Sequence, residues 1–140
     1  MFQRILVAND GSDGALKAFD AAVELAAALN ASLHMISVRE DLPKYAETIG
    51  EIEEEAEGAR TYFQSLVQHA ARRSALKGVA LESTIVSGHE AKAIVDFARA
   101  GRYDLLVVGY VGHSKLYEHL WGGTSQNIAR LAPCPVLVVK

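Results

Sequence analysis

The chain has almost no cysteine: Cys134 is its only one. A lone thiol excludes an internal disulfide and suits a reducing compartment, so a cytoplasmic location is expected. Long apolar runs are also missing. The opening MFQRILVAND returns to polar residues after Ile5-Leu6-Val7-Ala8, too short for a secretory leader or a membrane span. A large excess of one sign of charge is also missing. A net charge of −3 gives no general attraction to nucleic acid or to an anionic membrane, and neither is expected as a partner. No internal repeat or low-complexity tract is visible. Three motifs are absent as well. No G-x-G-x-x-G follows a strand, no G-x-x-x-x-G-K-[ST] occurs, and no G-x-S-x-G occurs. Their absence argues against a standard dinucleotide fold, a P-loop NTPase and an elbow-type hydrolase. What remains is an ordinary globular composition, 50% hydrophobic and 22% charged, in 140 residues. That length suits one domain, 1–140, with one core.

Hydrophobic periodicity divides the chain into alternating strands and helices. Residues 5–8 read as a buried strand, apolar on both faces. The turn-rich Asn9-Asp10-Gly11-Ser12-Asp13-Gly14 follows, and then a helix with Ala15, Ala18, Phe19, Ala22, Ala26 and Leu29 on one face. Ser12 or Asp13 suits its N-cap, and Asn30 its close. Residues 33–38 form the second strand, with Pro43 in the loop beyond. A long amphipathic helix is predicted over 44–76 on the stripe Ile49, Ile52, Ala56, Ala59, Phe63, Leu66 and Ala70, and Gly78 stops it. Its cluster Glu51, Glu53, Glu54, Glu55 and Glu57 reads as a solvated face rather than a metal site. Strand 79–86, helix 90–100 closed by Gly101, strand 104–108, helix 125–131 and strand 136–139 complete the order β-α-β-α-β-α-β-α-β. Such a chain builds a parallel sheet with right-handed crossovers. Ligands of such sheets bind outside the carboxyl ends of the strands, where the strand order reverses.

The stretch 109–125, GYVGHSKLYEHLWGGTS, falls where the fourth strand ends and a helix begins. Glycines there let a ligand approach the backbone, and a helix start offers unpaired N–H groups and the positive end of the dipole. Together they suit an anion such as phosphate, although the same glycines also fit an ordinary surface loop. Asp10, after the first strand, faces the same crevice if the first and fourth strands are neighbours. On its own, Asp10 reads equally as a turn-forming or capping aspartate.

Several segments occur in order at matching spacing. They are the ILVA-x-DGS opening, Gly88 before the third helix, the DLLVVG strand, Gly109-x2-Gly112-x9-Gly122 and the closing APCPVLVV. On these the whole chain resembles the universal stress protein family. The resemblance implies a three-layer α/β/α, Rossmann-like fold of the adenine nucleotide alpha hydrolase-like kind. Its five-stranded parallel sheet has the order 3-2-1-4-5. The glycine spacing is similar to that of the family's ATP-binding branch. One position departs: Gly123 stands where that branch carries Ser or Thr. The missing hydroxyl removes a phosphate hydrogen bond of roughly 0.5–1.5 kcal/mol and points to altered phosphate contacts, with AMP or ADP as alternatives to ATP.

The resemblance further implies a set of nucleotide-binding residues. Ala8 and Asn9 would line the base pocket, Asp10 would take the ribose or the base-proximal side, and Val38 would meet adenine through its backbone. Val108, Gly109 and Gly112 would follow the ribose and α-phosphate, while Gly122, Gly123, Thr124 and Ser125 would hold the outer phosphates, with or without Mg²⁺. No catalytic or metal-ligating residue is expected. His113 and His119 have no helical metal spacing, and Lys115 reads as a solvated lysine. Tyr117, Leu120 and Trp121 suit a phosphate cover, core packing or a partner contact. His34 and His89 read as structural or exposed, and Cys134 as a small packed residue. The closing strand Val136–Val139 is apolar and would end the sheet, which invites pairing with a second copy, and the resemblance also points to a homodimer there. The expected function is an adenine-nucleotide-binding stress-response regulator, read by an unidentified protein partner, with at most slow ATP hydrolysis. The alternative is a nucleotide-independent dimeric interaction module of the same fold.

Overall fold

The computed structural model describes residues 1–40, 49–110 and 123–140. In chain order they form β1 (Arg4–Ala8), α1 (Asp13–Leu29), β2 (Ser32–Arg39), α2 (Ile49–Leu76), β3 (Leu81–Ser87), α3 (Glu90–Ala100), β4 (Leu105–Gly109), α4 (Thr124–Leu131) and β5 (Val136–Val139). All strands are parallel, in the order β3-β2-β1-β4-β5. This is the expected architecture and the expected strand order.

Strand side chains alternate between the two faces of a sheet, and each face here has its own helices. Ile5, Val7, Leu33, Met35, Leu105 and Val107 pack beneath α1 and α2, against Phe19, Ala22, Ala26 and Ala70. Leu6, Ile36, Leu106 and Val108 pack beneath α3 and α4, against Ala91, Ile94, Ala98 and Ile128. The central strands β1 and β4 are apolar on both faces because both faces are covered, as parallel sheets require.

The helix ends follow their capping residues. Ser12 Oγ accepts from the Ala15 N–H at 3.2 Å and starts α1, and Asn30 closes it in the left-handed conformation at φ 52°. Gly78, at φ +71°, turns the chain after α2. The helix α3 ends at Gly101 as expected, but without a left-handed glycine. Gly101 stays right-handed at φ −85°, and Arg102 is the left-handed residue at φ 53°. The absence of a side chain at Gly101 serves the ring of Tyr103, which fills the space a Cβ would take. Leu29 is 46% exposed rather than inward, and Val23, at 3%, takes the buried place.

Two strands start later than expected. Val79 is tied to the end of α2: its N–H donates to the Ser74 carbonyl at 3.1 Å, and its own carbonyl accepts from Ser74 Oγ at 2.6 Å. The ladder of β3 therefore begins at Leu81. Asp104 precedes β4 because its carboxylate accepts the N–H groups of Gln3 and Arg4, each at 2.9 Å. The expected loop at Pro43, the proposed helical start at Lys44, and the glycines at 112 and 122 lie outside the described residues.

Candidate functional site

The strand order runs outward in opposite directions from β1 and β4, with β2 and β3 on one side and β5 on the other. A crevice forms at the carboxyl ends of such a pair. Register fixes what meets there. Val7 pairs with Val107, so β1 and β4 finish together, and Ala8 pairs with Ile36, so β2 runs on past the end of β1.

The turn after β1 is held by its own side chains. Asn9 is 2% exposed, its N–H donates to the Ile36 carbonyl at 3.0 Å, and its carbonyl accepts from Ser37 Oγ at 2.7 Å. Asn9 Oδ1 accepts the Gly11 N–H at 2.9 Å, and its Nδ2 lies 3.4 Å from Met35 Sδ. Asp10 is half-buried, and its Oδ1 accepts the Ser12 N–H at 2.9 Å. Asp10 thus makes the local Asx turn that its residue type allows. The Asp10 main-chain carbonyl accepts a hydrogen bond from the Tyr62 hydroxyl of α2. Burial, and then the Asp10 charge, push the Tyr62 phenol upward, so the hydroxyl keeps its proton and donates.

Opposite this turn, β4 ends at Gly109. A Cβ there would lie 2.7 Å from the carbonyl carbon and oxygen of Gly14 and 3.0 Å from the Ala15 nitrogen. The end of β4 therefore presses on the first turn of α1, directly after the Asp10 turn. Tyr110 continues outward, with its N–H on the Val139 carbonyl at 2.9 Å. Val108 is buried beneath α3 and α4. Val38 is half-buried on the same face and pairs with Val86. Its peptide groups point to the same strand edge as those of Ile36, two residues earlier, because strand edges alternate residue by residue. That edge faces β1, which has ended, so the Val38 backbone borders the crevice.

The fourth wall is the start of α4. Gly123 is its N-cap residue at φ −51°, ψ 163°, with no side-chain cap hydrogen bond, and Thr124 and Ser125 open the helix. A helix linking two parallel strands starts at the carboxyl end of the sheet, so its N–H groups and positive dipole end lie on the crevice side. Among the described residues, a Cβ on Gly123 would meet nothing within 4 Å. Of the residues singled out in the sequence, Ala8, Asn9, Asp10, Val38, Val108, Gly109, Gly123, Thr124 and Ser125 sit at this end of the sheet. Gly112 and Gly122 lie outside the described residues, as do His113, Lys115, Tyr117, His119, Leu120 and Trp121. The residues that sequence reasoning missed are Tyr62, Ser37 and Gly14. Tyr62 is exposed but lies four residues before the buried Leu66, and that helical spacing is the signal that could have found it.

Away from the crevice, His34 and Cys134 are structural in their contacts. His34 lies edge-on to Phe97 and Tyr103, at ring-centroid distances of 5.2 and 5.9 Å. Burial, and then the charge of Asp104, raise the Cys134 thiol above its ordinary value. Among the described residues, no group of three His, Cys, Asp or Glu side chains is placed to hold a metal ion, and no helix is long and apolar enough to cross a membrane.

These features define a doubly wound parallel α/β protein whose candidate ligand site lies at the topological switch point. The chain belongs to the universal stress protein family, whose model matches residues 1–140. It is 34% identical over 148 residues to universal stress protein YxiE of Bacillus subtilis (strain 168), with 100% of both chains covered. It is 35% identical over 141 residues to the Thermus aquaticus universal stress protein in the QAH/OAS sulfhydrylase 3′ region, again with 100% of both covered. A solved universal stress protein in complex with cAMP matches with a TM-score of 0.79 at 30% identity, over 99% of this chain and 97% of that one.

Proposed function

We propose that this chain is an adenine-nucleotide-binding regulatory protein of the stress response, acting in the cytoplasm as a homodimer. The observation that carries the reading is the convergence at the switch point. The Asp10 turn and Gly109 meet across the first turn of α1, and the start of α4 lies at the same end of the sheet. A solved relative holds cAMP, which supports an adenine nucleotide as the ligand class.

In this reading Ala8, Asn9 and the Val38 backbone border the base, and Asp10 takes the ribose. Val108, Gly109 and Gly112 follow the sugar and first phosphate, and Gly122, Gly123, Thr124 and Ser125 hold the remaining phosphates. The residues fit a polyphosphate in two respects: a helix start points N–H groups at the crevice, and none of the described residues lies within 4 Å of a Cβ on Gly123. ATP, ADP and AMP are all candidates, with Mg²⁺ where phosphates need neutralising. Nothing beside the phosphate end among the described residues forms a nucleophile–base pair, so the role is binding, with at most slow hydrolysis. The dimer contact is assigned to Val136–Val139, an edge strand whose Leu137 is 37% exposed. Isothermal calorimetry with ATP, ADP and AMP, with and without Mg²⁺, tests the ligand. Absence of heat at high protein concentration, together with no nucleotide released from denatured protein in mass spectrometry, would overturn it. Light scattering tests the dimer.

One observation favours a second reading, a nucleotide-independent interaction module. Asn9 Oδ1 and Asp10 Oδ1 are already engaged within the turn, at 2.9 Å each. A dimer that binds no nucleotide would select this reading.

A further inference from the structure

We infer that Tyr62 is a positioning residue for the nucleotide site: from α2 it holds the Asp10–Gly11 peptide in one orientation and thereby sets the direction of the Asp10 side chain. The inference rests on the nucleotide reading above. The peptide between Asp10 and Gly11 is held at both ends by side chains from elsewhere in the turn and the fold. Its carbonyl accepts from the Tyr62 hydroxyl, and its N–H donates to Asn9 Oδ1 at 2.9 Å. The preceding carbonyl, that of Asn9, is held by a second hydroxyl, Ser37 Oγ, at 2.7 Å. Two successive carbonyls at the end of β1 are thus fixed by side chains of β2 and α2, where the strand ladder no longer fixes them.

Gly11 makes the clamp necessary. It sits at φ +86°, and glycine populates both signs of φ with little preference, so the peptide before it can turn over at small cost. Turning it over would move the carbonyl away from Tyr62 and the N–H away from Asn9. The Asp10 carboxylate is aimed by the Ser12 N–H that it accepts at 2.9 Å, just beyond this peptide, so a turned peptide also disturbs the anchor of that side chain. Glycine suits this position because φ +86° is a conformation that side chains rarely adopt, and a Cβ there would displace the Tyr62 hydroxyl. Arg73 and Asp20 tie α2 to α1 through a forked ion pair, with Nε to Oδ1 at 2.9 Å, so the helix carrying Tyr62 is anchored to the helix that the turn begins.

The test is Tyr62→Phe, which keeps the ring against Gly11 and removes only the donor. Calorimetry with adenosine, AMP and ATP is run on the wild type and the variant, alongside amide NMR spectra of both free proteins. The expected result is an affinity lower by about 2- to 10-fold, the size of one net hydrogen bond, by the same factor for all three ligands because the change acts on the ribose side. The Gly11 and Ser12 amide resonances shift or broaden, while those of Thr124 and Ser125 do not. A purely structural role for Tyr62 would leave affinity unchanged once the protein is folded. Wild-type affinity in the variant, with Gly11 and Ser12 unmoved, overturns the role of Tyr62 and leaves the nucleotide reading standing. A loss confined to ATP also overturns it, since that would place the effect at the phosphates. No binding by the wild-type protein overturns the nucleotide reading itself, and the assigned role with it.

Discussion

Gly109 and Gly14 lie backbone against backbone: a Cβ on Gly109 would stand 2.7 Å from the Gly14 carbonyl carbon and oxygen. Two segments far apart in sequence are joined there, the end of β4 and the first turn of α1. Neither side can retreat. The Gly109 backbone is paired through the register of β4 with β5, and α1 is seated by Phe19, Ala18 and Ala22 in the core. Gly109→Ala should therefore destabilise the protein by about 1–3 kcal/mol, the usual cost of forcing an atom into filled space. Gly123→Ala is the matched control at the other wall of the crevice. Its Cβ meets none of the described residues within 4 Å, so the change should stay within about 0.5 kcal/mol. Urea denaturation of both variants decides it, and equal midpoints would show that the two backbones are not in contact.

Gly123→Ser supplies a hydroxyl at the N-cap of α4, where the present residue makes no cap hydrogen bond. Glycine is itself a tolerable N-cap, so the stability gain should be only a few tenths of a kcal/mol. The larger effect is expected on ligands. If the start of α4 holds phosphates, ATP should bind about 2- to 10-fold more tightly, by one hydrogen bond, and adenosine should not change. Calorimetry with the two ligands reads the difference. An equal change for both would move the phosphates away from α4.

The fold was legible because both faces of the inner strands are covered. Runs such as Leu105-Leu106-Val107-Val108 carry no polar interruption, and the capping residues Ser12 and Asn30 mark the helix ends. Gly101 does stop α3, but for a reason the pattern does not show: it is small to admit the Tyr103 ring, and Arg102 takes the left-handed turn. Where a strand boundary was misread, a distant partner had intervened. Asp104 reads as the first residue of a strand, yet it serves as an acceptor for two N–H groups of the β1 entry. Within the candidate site, the glycine pattern and Asp10 were visible in the sequence. The hydroxyls of Ser37 and Tyr62 that fix the turn were not, because periodicity reports which face a residue is on and not which carbonyl it reaches. The glycine at 109 also gained a packing reason, contact with Gly14, that no local pattern contains.

Asp104 gives the acid limb of stability a specific component. Burial alone would raise its carboxyl, but the N–H groups of Gln3, Arg4 and Asp104 itself, with the N-terminal charge, outweigh that and hold it below the ordinary 3.8. A depressed carboxyl contributes stability that is present above its unfolded value and is lost as the pH falls through the folded value. Asp104→Asn keeps the shape but turns one acceptor into a donor facing an N–H. The expected cost at neutral pH is about 1–2 kcal/mol, near the low end for charged hydrogen bonds because solvent reaches the carboxylate. The variant should also lose stability less steeply below pH 3.8 than the wild type. Parallel acid limbs in the two proteins would show that this carboxylate does not titrate with folding.

His34 should act nearer neutral pH, and with the same sign. Its Nε2 lies 2.7 Å from Thr84 Oγ1, its Nδ1 lies 3.5 Å from Glu82 Oε2, and its side chain is 16% exposed beneath Phe97 and Tyr103. Burial lowers its pKa below the ordinary 6.5, Glu82 raises it, and Arg4 lowers it further, with a net depression. A base depressed in the folded state binds fewer protons there than in the unfolded chain, over the interval between the folded value and 6.5. Stability therefore rises with pH across that interval. It is fully present above it, and it declines as the pH falls through 6.5 until the folded imidazole also charges. His34→Gln keeps a polar group within reach of Thr84 and cannot titrate. Urea midpoints of the wild type should fall between about pH 7.5 and pH 5 by more than those of the variant, since the other histidines contribute equally to both. A slope in His34→Gln as steep as that of the wild type would remove His34 as its source. A slope that is steeper in the variant would mean that the attraction of Glu82 outweighs burial and that the sign of the shift is reversed.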